Sequence, residues 1–204
     1  MRDYLSKSLK YSEYLALIDE LLAQGKTTGA EQSESMLEYA KLNRQRMRRI
    51  EKTMVIGPEV GGALVANRRP MVWLVLTEGW CGDAAQAIPV IERIAALARN
   101  IETRYVLRDE NPALMDAYLT NGARSIPKLI ALDAESFEVL GTWGPRPYAA
   151  VEYFVKMKNE GLEKAQISEN LQRWYNDDKT RSIQREFADL IAEWNSGRSA
   201  AAGC

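Results

Sequence analysis

Few residues in this chain could do covalent chemistry. Its 204 residues include no histidine and two cysteines, Cys81 and Cys204. Without imidazole there is no Ser-His-Asp triad, no Cys-His pair and no imidazole-bound metal. Two thiols build neither a tetrathiolate zinc site nor a disulfide framework. No metal and no cofactor is therefore implied, and a thiol remains. Cys81 directly follows Gly79-Trp80 and opens a helical pattern. At a helix N-terminus, free backbone N–H groups and the macrodipole favour an anion, so the thiolate is stabilised there. Such a thiolate attacks disulfides, peroxides and other electrophiles. The alternative reading is a small buried hydrophobe, a common fate of free cysteine. Asp83, two residues on, would push the thiol the other way by charge repulsion. The sequence leaves that balance open.

The elements that must position Cys81 are legible around it. Met71-Val-Trp-Leu-Val-Leu-Thr77 is a short apolar run of strand formers, which predicts a buried central strand. A helix follows from Cys81 to Asn100, with Ile88, Ile91, Ile94, Ala95 and Leu97 inward. Next come a strand (Glu102 to Leu107), a helix (Pro112 to Thr120) and a strand (Lys128 to Leu132). Asp133-Ala-Glu-Ser predicts a hairpin turn into a strand from Phe137 to Gly141. Gly144-Pro-Arg-Pro then breaks the pattern before a helix from Tyr148 to Glu160. The order β-α-β-α-β-β-α implies a mixed sheet flanked by helices.

Both flanks read as helical. Ser12 is placed to cap a helix with Tyr14, Leu17, Ile18, Leu21 and Leu22 on one face, ending at Gly25. Ser33 opens a second, whose stripe of Met36, Ala40, Met47, Ile50 and Met54 is interrupted by Asn43. That helix carries Lys41, Arg44, Arg46, Arg48, Arg49 and Lys52. No aromatic residues interleave with them as nucleic-acid binding would ask, so they read as a solvated face. Two further helices follow between Gln166 and Asn195, one marked by Leu171, Trp174 and Tyr175, the other by Ile183, Phe187, Leu190, Ile191 and Trp194. These apolar faces are expected to pack on the central unit. The division expected is an N-terminal helical extension (1–57), a central α/β domain (58–160), a C-terminal helical extension (161–197) and a flexible tail (198–204).

Composition narrows partners and compartment. Twenty-seven basic residues against 28 acidic ones argue against wholesale binding to nucleic acid or an anionic membrane. No stretch approaches the roughly 20 apolar residues of a transmembrane helix, and no apolar secretion signal follows Met1. The expected address is the cytoplasm, where thiols stay reduced.

Four motifs in order resemble the thioredoxin superfamily. Gly79-Trp80-Cys81-Gly82 is similar to the W-C-G-P-C active-site turn, and Pro89 stands at the offset of the proline in the family's active-site helix. Asp109-Glu-Asn-Pro112 resembles the D-x-N-P after the third strand, and Gly122-Ala-Arg124-Ser-Ile126-Pro127 resembles the G-x-R-x-I-P around the cis-proline. The resemblance covers about Pro58 to Glu160 and implies a thioredoxin-like fold with helical extensions. Within the superfamily, the motifs resemble a single-cysteine branch of bacterial thioredoxin-like proteins. The resemblance implies that Cys81 is the nucleophile, with Trp80, Gly82, Ile126 and Pro127 holding an extended substrate segment by strand addition. It also implies that Arg124 lies near the same face, where it could favour a thiolate or an anionic substrate group.

The departures bear on mechanism. Ala84 replaces the resolving cysteine and Asp83 the proline, while Val75 and Tyr105 stand where the family has its buried aspartate and partner lysine. A dithiol cycle within the motif is impossible. Two functions stay open. One is a monothiol thiol-disulfide oxidoreductase acting on protein or low-molecular-weight thiol and disulfide substrates, with an external thiol as resolver. The other is a non-catalytic thioredoxin-fold module that binds a protein. Cys204, on a tail able to span roughly 30 Å, is within reach as a resolver but reads more simply as an inconsequential terminal thiol.

Overall fold

The computed structural model describes residues 1–196; Cys204 and the tail lie outside them. Four strands form one sheet: β1 (Met71–Thr77), β2 (Ile101–Leu107), β3 (Lys128–Asp133) and β4 (Val139–Trp143). Their spatial order is β2-β1-β3-β4. β1 runs parallel to β2 and antiparallel to β3, and β3 is antiparallel to β4. This is the mixed sheet that the alternation of elements required. All seven residues of β1 are buried, as its unbroken apolar run demands of a strand covered on both faces.

Nine helices surround the sheet among the described residues. The first four are α1 (Arg2–Ser6), α2 (Tyr11–Ala23), α3 (Glu34–Thr53) and α4 (Pro58–Ala66). α5 (Gly82–Leu97) links β1 to β2, and α6 (Pro112–Ala117) lies between β2 and β3. α7 (Tyr148–Asn159), α8 (Lys164–Asp178) and α9 (Arg181–Asn195) complete the chain.

The flanking helices share the central core. Tyr14 and Ile18 of α2, Met47 and Ile50 of α3 and Ile183, Phe187, Ile191 and Trp194 of α9 join β1 and α5 in one cluster of buried residues. On the face of β1 that carries Trp73 and Thr77, the Trp73 ring meets Phe187 at 5.3 Å and Trp194 at 5.9 Å. At the other end Tyr14 stacks on Tyr105 at 5.4 Å, and its hydroxyl lies 3.1 Å from Thr77 Oγ1. Buried aromatics contribute the largest areas per residue, so α9 and α2 are cemented to the sheet rather than laid on it. A smaller cluster joins α7 to α8 through Ala150, Met157, Ile167, Leu171 and Tyr175. Leu9 exchanges both backbone hydrogen bonds with Tyr105, which covers part of the outer edge of β2.

Several local expectations need correction. α2 begins one residue before Ser12, with Lys10 as its N-cap; the Lys10 N–H donates to Glu13 Oε2 at 2.7 Å. α5 stops at Leu97 because Ala98 is extended and the Asn100 carbonyl accepts from Met71 N at 2.8 Å, pulling the chain into β2. Leu97 is accordingly exposed. α6 ends at Ala117, and Thr120 pairs with Ala123 instead. The hairpin is longer than read: Asp133 Oδ1 accepts from the N–H of Glu135 and of Ser136, both at 3.0 Å, and Phe137 takes a left-handed φ of 61°. The strand therefore starts at Val139. α1 and α4 were not foreseen; the former is five residues long, and Gly61-Gly62 hides the latter's pattern.

The basic helix also resolves. Arg44 makes a two-pronged ion pair with Asp19 of α2 at 2.9 and 3.0 Å, and Arg48 reaches the same carboxylate at 3.2 Å. These contacts tie α3 to α2, and α3 packs along α5.

Candidate functional site

Cys81 is where the strand–turn–helix grammar puts it. It is the N-cap of α5, with extended backbone, and the Ala84 N–H donates to its Sγ at 3.5 Å. The Cys81 Sγ–H in turn donates to the Ile126 carbonyl at 3.3 Å. The Ile126–Pro127 peptide bond is cis. Cys81, Ile126 and Pro127 thus come together, all three buried. The thiol lies between a donor that favours S⁻ and an acceptor that favours S–H.

The neutral thiol wins. Burial first, and then the negative charge of Asp83, push the Cys81 thiol up to about 12. The N–H groups of Ala84 and Asp83 and the positive charge of Arg146 oppose this without overcoming it. The helix-terminus argument had the right sign for its own contribution. Desolvation of a thiolate only 8% exposed outweighs it. The resting site holds a thiol.

Asp83 is held in place by two groups the motif does not contain. Arg146 Nη2 lies 2.7 Å from its Oδ2, and the Tyr175 hydroxyl donates to its Oδ1 at 2.9 Å. Arg146 comes from the Gly144-Pro-Arg-Pro segment, itself stacked on Phe154 with its guanidinium carbon 4.5 Å from the ring centre. Tyr175 comes from α8. The chain after β4 therefore closes one side of the turn. Arg124, expected near the same face, is exposed and makes paired 2.6 Å hydrogen bonds with Asp116. Arg146 is the cation that acts on Cys81.

The N-terminal helices close the other side. The Gly79 N–H donates to Thr28 Oγ1 at 2.8 Å, and Asn43 Nδ2 donates to the Gly79 carbonyl at 3.2 Å. Asn43 is fully buried, so the residue that interrupted the apolar stripe of α3 is the one that clamps the turn before Cys81. A polar side chain at a core-facing helical position needs a partner, and that was the available signal. Trp80 is half-buried, with the Arg108 guanidinium carbon 4.7 Å from its ring centre. Gly82 lies against Arg46: a Cβ there would come within 3.7 Å of Arg46 Nη1.

Glu78 also went unread. It follows the apolar strand with no solvent exposure, and its Oε1 accepts from Asp109 N at 3.0 Å. Burial raises its carboxyl above the usual range. Ala84 is buried at the position of the family's second cysteine, so no thiol stands there to resolve a mixed disulfide.

Comparisons with known proteins agree with this architecture. The chain is similar in structure to an HIV epitope scaffold, at 18% identity and a TM-score of 0.55, over 91% of this chain and 97% of that one. It is likewise similar to PA1234, a protein of unknown function from Pseudomonas aeruginosa, at 17% identity and a TM-score of 0.50, over 95% of this chain and 99% of that one. At these identities the likeness is one of fold. None of the curated proteins matches the sequence. A thioredoxin family model matches residues 29–161, beginning ahead of α3 and spanning the Cys81 turn, the Pro127 loop and Arg146. The chain belongs to the thioredoxin family.

Proposed function

We propose that the protein is a monothiol thiol-disulfide exchange protein whose Cys81 is kept as a thiol until a substrate docks along the Ile126–Pro127 edge. The observation that carries this reading is the placement of one sulfur between Ala84 N–H and the Ile126 carbonyl. An extended substrate segment adding to that edge would offer its own N–H to the Ile126 carbonyl. Docking there would bring the substrate disulfide to Cys81, where the N–H of Ala84 and the positive charge of Arg146 are the groups that favour the attacking thiolate.

The exchange balances without a base or an oxidant from the protein. Cys81 Sγ attacks one sulfur of a substrate disulfide, forming a mixed disulfide and breaking the substrate's S–S bond. The departing thiolate takes up the proton that Cys81 gave to solvent. Ala84 cannot complete the cycle, so a thiol from a soluble reductant or partner protein attacks the mixed disulfide and releases Cys81. A protein or low-molecular-weight disulfide in a reducing compartment suits this scheme.

A second reading, a non-catalytic thioredoxin-fold module that binds a protein, is favoured by one observation: burial pushes the thiol up to about 12 in the resting site. Capture in cell extract separates the two. The exchange reading expects disulfide-linked partners on the wild-type protein that disappear in Cys81→Ser. Partners retained equally by Cys81→Ser would leave the binding module.

A further inference from the structure

A cavity of about 480 Å³ is lined by residues of α3, α5, α8 and the turn into α9, Tyr175 among them. Its size suits a small organic molecule. Its lining is chemically lopsided. Arg49 and Lys179 contribute positive charge, and no carboxylate lines it. Among the described residues Arg49 donates only to the neutral Asn176 Oδ1, at 2.8 Å, while Arg44 and Arg48, which reach from α3 to α2, are neutralised by Asp19. The Lys179 ammonium has no hydrogen bond or ion pair among the described residues. Ile50 and Met54 add apolar surface to the lining.

The segment that presents Lys179 is strained. Lys179 and Thr180 are consecutive left-handed residues, with φ of 52° and 68°. Neither is glycine, and a β-branched residue is especially disfavoured there. Both residues line the cavity.

We propose that this cavity binds a small amphipathic organic anion: an acid group held between Arg49 and Lys179, and a hydrocarbon body against Ile50 and Met54. Two cations on a lining that holds no carboxylate complement a carboxylate, sulfonate or phosphate. Cys81 does not line the cavity, which adjoins the turn through Tyr175 alone among its lining residues, and binding there does not depend on thiol chemistry.

The test uses the full chain and 8-anilinonaphthalene-1-sulfonate as probe, with uncharged N-phenyl-1-naphthylamine as control. The expected result is one saturable fluorescence site that weakens with added NaCl, and weaker binding of the uncharged control. Arg49→Gln combined with Lys179→Gln should weaken the anion at least about tenfold, the loss of two charge-assisted contacts. Both side chains are exposed, so an unchanged melting temperature shows that the variant is folded. Lys179→Gly relieves backbone strain while removing the charge, and should lose affinity although the protein is no less stable. Absence of saturable binding, equal binding of the uncharged control, or affinity within twofold of wild type in the double variant would each overturn the proposal.

Discussion

Alkylation of Cys81 tests the electrostatics of the site in detail. At pH 7 a free thiol with a pKa near 8.5 is about 3% thiolate, whereas one pushed up to about 12 is about 0.001%. The deficit is about 3,000-fold. The more basic thiolate is the better nucleophile, which returns roughly 30- to 50-fold at a Brønsted slope of 0.4–0.5. Cys81 should therefore react with iodoacetamide about 60- to 100-fold more slowly than free cysteine, before any further slowing from its burial. A Cys204→Ser background leaves Cys81 as the single thiol, and the rate is followed by mass from pH 6 to 10. Asp83→Asn removes the charge that raises the thiol and leaves Arg146 positive beside it. Bringing the thiol down by about one pKa unit gives tenfold more thiolate and about threefold more rate. Arg146→Ala should act in the opposite direction, because the cation is lost and the carboxylate stays. A wild-type rate within a few-fold of free cysteine, or the two variants moving the rate the same way, would refute the reasoning.

Other substitutions probe the frame. Gly141→Ala on β4 would drive a methyl group into the buried Trp194 indole, so a loss of about 1–3 kcal/mol is expected by chemical denaturation, with altered tryptophan fluorescence. Glu78→Gln removes a buried carboxyl raised by burial. The wild-type carboxyl is tolerated while protonated and becomes a liability as pH rises through its folded value, so the variant should gain stability relative to wild type with rising pH. Asp133 runs the other way, held down to about 2 by the Ser136 N–H, Arg69 and the Glu135 N–H. Its contribution is present above the ordinary carboxylate range and is lost as pH falls toward 2. Asp133→Asn should cost about 1–2 kcal/mol at pH 7, discounted for its partial exposure, with the gap closing below pH 4 in acid-unfolding curves.

What could be read from the sequence followed from how local each signal is. β1 declares itself through seven apolar residues in a row, and α5 through the spacing of Ile88, Ile91 and Ile94. The Cys81 turn and Pro127 loop were legible as motifs because their chemistry is written in contiguous residues. The groups that set the state of the thiol were not. Arg146 and Tyr175 reach Asp83 from 63 and 92 positions away, and Asn43 reaches Gly79 across 36. Only the packing of α3 and α8 around the turn brings them there. The Arg124 pairing has the same origin: nearness to Pro127 in sequence does not fix where a long side chain points, and Asp116 pairs with it. The pKa of Cys81 needed a burial that no local pattern states.

The central claim is that Cys81 exchanges with a docked disulfide although it rests as a thiol. The most direct measurement is non-reducing capture of partners from cell extract, by wild type and Cys81→Ser in parallel, resolved by mass spectrometry. Mixed disulfides at Cys81 that accumulate in wild type, because Ala84 cannot resolve them, and that are released by added thiol are the predicted result. No disulfide-linked species on Cys81, under conditions where the protein is folded, would contradict it.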